Sequence, residues 1–226
     1  AMSARRLSHD TGIFLVLIGI VVLFEAVGWS IRGASFLFNA QRVLVMVLQV
    51  SIIGLLAIGV TQVILTGGID LSSGSVVALS AMIAASLAQT ANARAVFASL
   101  VDLPVVVPIA AGLLTGAVAG FVNGRLIALT GIPPFIATLG MMVTARGLAR
   151  YYTRGQPISM LSEPYTRIGE GAVPVAIFII TALVFHVLLR QTRYGKYTYA
   201  IGANAQAARV SGIRVDRHLV LVYTVA

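Results

Sequence analysis

The chain of 226 residues is 58% hydrophobic and only 10% charged, with a mean hydropathy of +0.97. Soluble domains carry about 25% charged residues, so the composition excludes an ordinary soluble fold. The net charge of +9 comes from basic residues that lie between apolar runs, which is typical of loops flanking membrane helices rather than of nucleic-acid binding. The lack of cysteine excludes disulfides and Cys-ligated zinc. The composition therefore predicts an integral membrane protein.

Uncharged windows of membrane-spanning length follow one another along the chain. A first helix is predicted from Thr11 to Ile31, and five more windows approach the roughly 17–25 residues that cross a bilayer: 43–66, 71–93, 103–124, 126–145 and 171–189. Residues 218–226 begin a seventh window. The predicted fold class is all-α, a polytopic bundle of six complete spans plus the start of a seventh. Because a span does not end in mid-bilayer, we expect residues 1–226 to be a single transmembrane domain truncated at its C-terminus.

Basic residues predict the orientation. Arg5 and Arg6 stand directly before the first helix, and the positive-inside rule therefore favours a cytoplasmic N-terminus. Alternating six spans from that start predicts that residues 190–217 are cytoplasmic and that residues 146–170 lie on the opposite side.

A stripe of glycine follows the fourth window, at Gly112, Gly116, Gly120 and Gly124. Small residues at this spacing allow another helix to approach closely in a membrane, where lipid provides no hydrophobic drive for helix association. The stripe predicts a helix-packing face.

The apolar pattern breaks first around Gly67, Gly68, Asp70 and Ser72. Glycine can end one helix, and Asp70 can cap the next by accepting hydrogen bonds from free backbone N–H groups. One interpretation is a tight turn with Asp70 as its cap. The other is a broken helix that lines a translocation path, where polar backbone is tolerated.

A second break surrounds Pro133 and Pro134, because two prolines do not fit inside an uninterrupted helix. A helix is predicted to start here, with Pro133 in its first turn and the helix running on from Phe135. One interpretation is that the break serves helix packing. The other is that the break marks the substrate region, which makes Pro133, Phe135 and Thr138 candidates for the translocation path.

The third feature is the polar segment 193–217. Asn204 is a candidate N-cap, residues 205–210 are good helix formers, and Gly212 is a candidate stop. The pattern predicts a short surface helix, which either lies on anionic lipid through its basic residues or docks a cytosolic partner.

Chemistry-bearing motifs are sparse. Glu25 and His186, each within an apolar span, are expected to pair locally or snorkel rather than carry protons. The sequence has no nucleotide-binding loop, no metal-ligand spacing and no Ser/His/Asp set at motif level, so neither a catalytic nor a metal site is expected.

Four blocks of sequence carry a resemblance to a known family. The blocks are Thr66-Gly67-Gly68-Ile69-Asp70-Leu71-Ser72-x-Gly74-Ser75, Asn123-Gly124-x-Leu126-Ile127, Ile132-Pro133-x-Phe135-Ile136-x-Thr138-Leu139-Gly140, and the run from Tyr194-Gly195 to Ser211-Gly212-Ile213. In this order they resemble the ribose/xylose/galactose-type permeases of bacterial ATP-binding-cassette importers. Members of that family usually have about ten helices, so the resemblance implies that the C-terminal third is missing.

The resemblance implies a multi-pass permease subunit in the bacterial inner membrane that translocates a monosaccharide, such as a pentose, a hexose or a related polyol. The implied partners are a cytoplasmic ATPase that uses ATP, a periplasmic sugar-binding protein, a second permease copy and membrane lipid. The permease itself would need no cofactor and would not be an enzyme. The breaks at Gly67–Ser75 and Ile132–Gly140 would lie near the path, and residues 190–217 would couple to the ATPase, with the contact residues Asn204, Ala207, Ala208, Arg209, Ser211 and Gly212.

Two alternatives stay open. Related permeases carry branched-chain amino acids, nucleosides or polyols such as inositol, so the cargo differs within the same class. The second alternative is a stand-alone secondary transporter with Asp70, Glu25 or His186 as proton carriers.

Overall fold

A computed structural model describes residues 9–91 and 95–226, and this part of the chain contains helices and no strand. The helices are α1 (His9–Arg32), α2 (Ala40–Leu65), α3 (Ser73–Leu87), α4 (Val106–Thr130), α5 (Pro134–Tyr152), α6 (Glu163–Thr166), α7 (Val173–Gln191), α8 (Arg193–Ala203), α9 (Ala205–Val210) and α10 (Val215–Val225). A 3₁₀ turn, Arg167–Gly169, follows α6. The all-α prediction is confirmed.

Four of the described helices are long and apolar enough to cross a membrane: α1, from Thr11, and α2, α4 and α7. The predicted count of six complete spans is not reached by this measure. Helix α3 has only 15 residues and ends at Leu87, before the end of the predicted window 71–93. Helix α5 carries Arg146 and Arg150 towards its end.

The predicted boundary between the fourth and fifth spans at Arg125 is wrong. Helix α4 continues through Arg125 to Thr130 and ends at Gly131, which has φ +70°. A single arginine inside an apolar helix does not end it, because the long side chain can carry its charge away from the helix axis. The next helix begins at the proline pair, as predicted, but Pro133 is its N-cap and Pro134, rather than Pro133, lies in its first turn.

The chain divides into two compact units, one ending at Val50 and the other comprising Ser51–Ala226. In the first unit, Glu25 accepts hydrogen bonds from Trp29 Nε1 at 3.0 Å and from the backbone N–H groups of Phe36 and Leu37, both at 2.9 Å. The carboxylate therefore folds the segment after α1 back onto the helix, and the predicted local pairing of Glu25 is confirmed.

In the second unit, α4 packs between α3 and α10 through the glycine stripe. A methyl group added to Gly112 would lie 3.3 Å from the Cβ of Ala84 in α3, and one added to Gly124 would lie 2.7 Å from the Cα of Val220 in α10. At Gly120 an added methyl would collide with the backbone carbonyl of Tyr223. The predicted packing face is confirmed, and it serves two neighbouring helices.

Candidate functional site

The break between α2 and α3 is built around Asp70. Its Oδ1 accepts hydrogen bonds from the backbone N–H of Ser72 at 2.7 Å and from Ser72 Oγ at 2.6 Å, and its Oδ2 accepts from Ser73 Oγ at 3.1 Å. Ser72, rather than Asp70, occupies the N-cap position of α3. Asp70 thus accepts a backbone N–H as predicted, but it lies two residues before the N-cap position. Gly67 has φ +77°, a conformation that glycine adopts without steric cost, and it ends the preceding helix.

Asn123 connects this break to α4. Its Nδ2 donates to Ser72 Oγ at 3.0 Å, and the side chains of Asn123 and Ser72 are each 1% exposed. A buried polar contact between helices is costly to break because each group would be left without a partner. The Asp70–Ser72–Asn123 chain therefore holds the start of α3 against the middle of α4.

A cavity of about 930 Å³ lies beside these three residues. Most of its wall is aliphatic and comes from α2, α3, α4, α7 and α10. Asp70 is its one charged side chain, and no Lys, Arg or His lines it within the described part of the chain. Small-molecule sites typically occupy about 300–1,000 Å³, so the cavity is of a size that suits a small solute.

The predicted path residues are only partly brought together. Asp70 and Ser72 line the cavity. Thr138 is fully buried, and its hydroxyl donates to the carbonyl of Pro134 at 2.8 Å and more weakly to that of Ile69 at 3.4 Å, so α5 starts against the break. Gly67 and Gly68 form the turn itself. Pro133 and Phe135 are exposed and do not line the cavity, so the structure does not bring them to it.

Several further residues with polar side chains line the cavity although they are not among the predicted path residues, including Ser80, Asn123 and Tyr223. Ser80 and Asn123 are polar residues within apolar windows, and that interruption was the signal available in the sequence. Tyr223 gave no such signal, because it stands among the apolar residues of the last helix.

The segment 193–217, called the loop assembly below, consists of α8, α9 and the turn into α10. Asn204 Oδ1 accepts from the backbone N–H of Ala207 at 2.9 Å, so the predicted N-cap of α9 is confirmed. The chain leaves α9 through Gly212, with φ +83°, as predicted for the stop.

Ala208 does not lie on the outer surface of α9. Its side chain is 4% exposed and packs with Ile201 and Val215, whereas Ala207 and Val210 are exposed, Val210 by 82%. Ala208 is therefore covered by its own chain, and its direct contact with a partner stays a prediction. The helix is too short to bury anything but one face, and the burial of Ala208 joins α9 to α8 and α10.

Two further contacts join the loop assembly to the end of α2. Tyr194 Oη donates to Oε1 of Gln62, whose side chain is fully buried, and burial raises the pKa of the Tyr194 phenol to about 12, so the phenol stays protonated as a donor. Gly202 packs so closely on the carbonyl of Leu65 that any side chain would collide with it. At the other side of α8, Thr198 Oγ1 and His218 Nε2 lie 2.9 Å apart.

The Arg209 guanidinium pairs with both carboxylate oxygens of Asp216, at 3.0 Å for Nη1–Oδ2 and 2.5 Å for Nη2–Oδ1. The same pairing raises the pKa of Arg209. Both side chains are about half exposed, so this pair spans the outer face of the loop assembly and contributes little stability.

The segment after α5 carries exposed arginines. Arg167 pairs with Glu163 in the same short helical turn at 2.6 Å, with both side chains more than 70% exposed. Arg154 follows α5 with φ +51° and has no ion-pair partner within the described residues.

Residues 42–226 match the family described as the branched-chain amino acid transport system permease component. The chain is 35% identical to the galactose/methyl galactoside import permease protein MglC of Haemophilus influenzae, over 95% of this chain and 65% of that protein. It is 40% identical to the ribose import permease protein RbsC of Bacillus subtilis, over 98% of this chain and 65% of that protein. The chain is 36% identical to the ribose import permease protein RbsC of Escherichia coli K12, over 93% of this chain and 62% of that protein. The chain thus spans somewhat less than two thirds of these relatives, and no solved structure matches it.

Proposed function

We propose that this chain, which belongs to the family of branched-chain amino acid transport system permease components, forms most of the membrane subunit of an ATP-driven monosaccharide importer. The observation that carries the proposal is the similarity to permeases named for galactose and ribose import, at 35–40% identity over nearly the whole chain. The subunit itself is a permease rather than an enzyme and needs no cofactor, since ATP is consumed by a separate subunit.

The loop assembly is the proposed docking site for that ATPase. Two anchors, Tyr194–Gln62 and Gly202–Leu65, hold α8 to the end of α2, and α2 leads directly into the break that lines the cavity. A displacement of α9 by the ATPase would therefore be transmitted to the cavity wall through α8 and α2. Of the predicted contact residues, Ala207 and Arg209 remain available on the outer face, while Asn204, Ser211 and Gly212 shape the helix ends.

In the proposed topology α3 and α5 cross the inner membrane together with the four long apolar helices, and α10 begins a further crossing. At 1.5 Å per residue the 15 residues of α3 extend about 22 Å, less than the ~30 Å hydrocarbon core, so the break before α3 must complete that crossing. The N-terminus is cytoplasmic in this arrangement. A second permease copy completes the proposed homodimer, and lipid covers the exposed apolar side chains of α1.

The proposed docking surface for the periplasmic binding protein is the segment from Arg146 to Glu170. Within this segment Arg154 is the better candidate for contacting an acidic partner, because Arg167 already pairs with Glu163. Rim charges of this kind act mainly on the association rate and on its salt dependence.

A branched-chain amino acid is the second candidate cargo, since the family description names that class. Its carboxylate requires a cationic partner or an unoccupied helix N-terminus. No cationic side chain lines the cavity in the described residues, and at the N-terminus of α3 the Asp70 carboxylate already accepts the backbone N–H of Ser72. Proton-coupled transport has less support, because both carboxylate oxygens of Asp70 and of Glu25 already accept hydrogen bonds.

The experiment reconstitutes the full-length permease in proteoliposomes with its cognate ATPase and binding protein. We expect labelled ribose or galactose to accumulate only when ATP, ATPase and binding protein are all present. Uptake of leucine instead would move the cargo to the amino-acid class, and uptake without the ATPase would contradict the importer.

A further inference from the structure

Three polar side-chain atoms are buried without a hydrogen-bond partner in the described part of the chain: Ser80 Oγ, Asn123 Oδ1 and Tyr223 Oη. All three belong to residues that line the same cavity. Buried polar groups are nearly always paired, because an unpaired one costs folding free energy. Three such groups around one cavity therefore indicate hydrogen-bonding capacity kept for something that the cavity receives.

The three residues come from three different helices. Ser80 lies in α3, Asn123 in α4 and Tyr223 in α10, and the Asn123 and Tyr223 side chains are only 1% and 3% exposed. The amide nitrogen of Asn123 donates to Ser72 Oγ, whereas its carbonyl oxygen accepts no hydrogen bond. The wall thus offers two hydroxyls, each able to donate or accept, and one acceptor.

Gly68 places the Tyr223 hydroxyl beside the break. A methyl group added to Gly68 would lie 2.5 Å from Tyr223 Oη, so the absence of a side chain at this position is what leaves room for the hydroxyl. The predicted path element at residues 67–72 and an unpredicted polar group in α10 therefore lie side by side.

The chemistry of the wall selects the class of solute. It combines unpaired hydroxyl and carbonyl groups with an aliphatic surface, and no cationic side chain lines it in the described residues. A neutral polyol presents several hydroxyls and a carbon skeleton, which match both parts of this wall. A zwitterion or a phosphorylated solute would bring an anionic group for which this wall has no cationic side chain, and at the start of α3 the Asp70 carboxylate already accepts the backbone N–H of Ser72.

We propose that Ser80, Asn123 and Tyr223 form a hydroxyl-binding group in the cavity wall, which hydrogen-bonds a neutral polyol during its passage. This assignment rests on the proposed function and adds to it the contacting residues and the charge class of the solute. The contact belongs to a state in which the wall has opened, because the three atoms are covered in the present conformation. Transient pairing suits a path that must release its cargo.

The test uses Ser80→Ala and Tyr223→Phe in the full-length permease, assembled with its ATPase and binding protein in proteoliposomes. Each change removes a hydroxyl that makes no internal hydrogen bond, so we expect an unchanged or higher Tm. Uptake of labelled ribose or galactose at saturating binding protein should fall roughly three- to tenfold for each, as expected for one lost hydrogen bond to the solute.

Matched controls lie in the same chain. Ser86 Oγ and Tyr152 Oη lie 2.7 Å apart in a hydrogen bond, and neither residue lines the cavity. Ser86→Ala and Tyr152→Phe should therefore lower the Tm and leave uptake per folded transporter unchanged. This is the opposite pattern to that of Ser80→Ala and Tyr223→Phe, and a purely structural role for the latter two would not produce their pattern.

Full sugar uptake by the Ser80→Ala/Tyr223→Phe double variant would overturn the assignment alone, and the three atoms would then serve only structural water. Uptake of leucine but of no sugar by the unmodified assembly would overturn the proposed function and this assignment with it.

Discussion

At the residue scale, Asp70 organises the break through three accepted hydrogen bonds, two of which go to Oδ1. A carboxylate near a membrane helix is costly unless its oxygens are paired, and here each is. The hydroxyl of Ser72 also accepts a hydrogen bond from Asn123, so this one serine links the break between α2 and α3 to α4.

Asp70→Asn should retain most of the stability and Asp70→Ala should lose about 1–2 kcal/mol, because Asn keeps an acceptor for both Ser72 bonds while Ala keeps none. The free energy of unfolding in detergent measures this. Ser73→Ala, which removes only the 3.1 Å bond to Oδ2, is the control and should cost less than Ala at 70. If Asn destabilises as much as Ala, the negative charge itself is required.

Gln62 is buried in α2, and its amide oxygen accepts a hydrogen bond from Tyr194 of α8. Tyr194→Phe should leave the buried amide oxygen of Gln62 without this hydrogen bond and lower the free energy of unfolding by about 1–3 kcal/mol. Gln62→Leu combined with Tyr194→Phe should be less destabilising than the sum of the single changes. A double-mutant cycle on the free energy of unfolding measures the difference, and strict additivity would contradict a direct bond.

At the scale of elements, α4 depends on glycine where α10 crosses it. Gly124→Ala should separate the two helices and cost about 1–3 kcal/mol, since the added methyl would lie 2.7 Å from the Cα of Val220. Gly140→Ala in α5 is the matched control: nothing lies within 4 Å of its added methyl, and better helix propensity should stabilise it by up to about 1 kcal/mol. Thermal unfolding distinguishes the two, and equal effects would remove the packing explanation.

Helix α9 has one buried and one exposed alanine side by side. Ala208→Trp should disrupt the packing with Ile201 and Val215 and lower the stability of the loop assembly by about 1–3 kcal/mol. Ala207→Trp should leave the fold intact and instead weaken co-purification of the ATPase. If Ala207→Trp retains both ATPase binding and uptake, α9 is not the docking surface, and lipid contact is the better explanation of the basic residues in the loop assembly.

At the scale of the whole molecule, the proposed topology places residues 160 and 207 on opposite sides of the membrane. The chain has no cysteine, and both positions are exposed, so Met160→Cys and Ala207→Cys each create a single reactive thiol. A membrane-impermeant maleimide should label position 160 in intact spheroplasts and position 207 only after permeabilisation. The reverse pattern would invert the orientation, and labelling of both from one side would contradict the number of crossings between them.

Much of this protein follows from sequence patterns that act over a few residues. The composition determined a helical membrane protein, the proline pair determined the start of α5, and Asn204 with Gly212 determined both ends of α9. These features depend on backbone hydrogen bonds and turn conformations within one helical turn, and residue type alone controls those. Arg125 shows the limit, because a charge count divides the sequence where the hydrogen-bonded helix does not end.

Only the tertiary structure decided which side chains share the cavity and which face of α9 is covered. Ser72 and Asn123 are 51 residues apart, and Gln62 and Tyr194 are 132 apart, so no local pattern relates them. Ala207 and Ala208 are chemically identical in the sequence, and only the packing of α8 and α10 buries the second. Helix packing selects one face of each helix for contact, and that choice depends on the positions of all the helices at once.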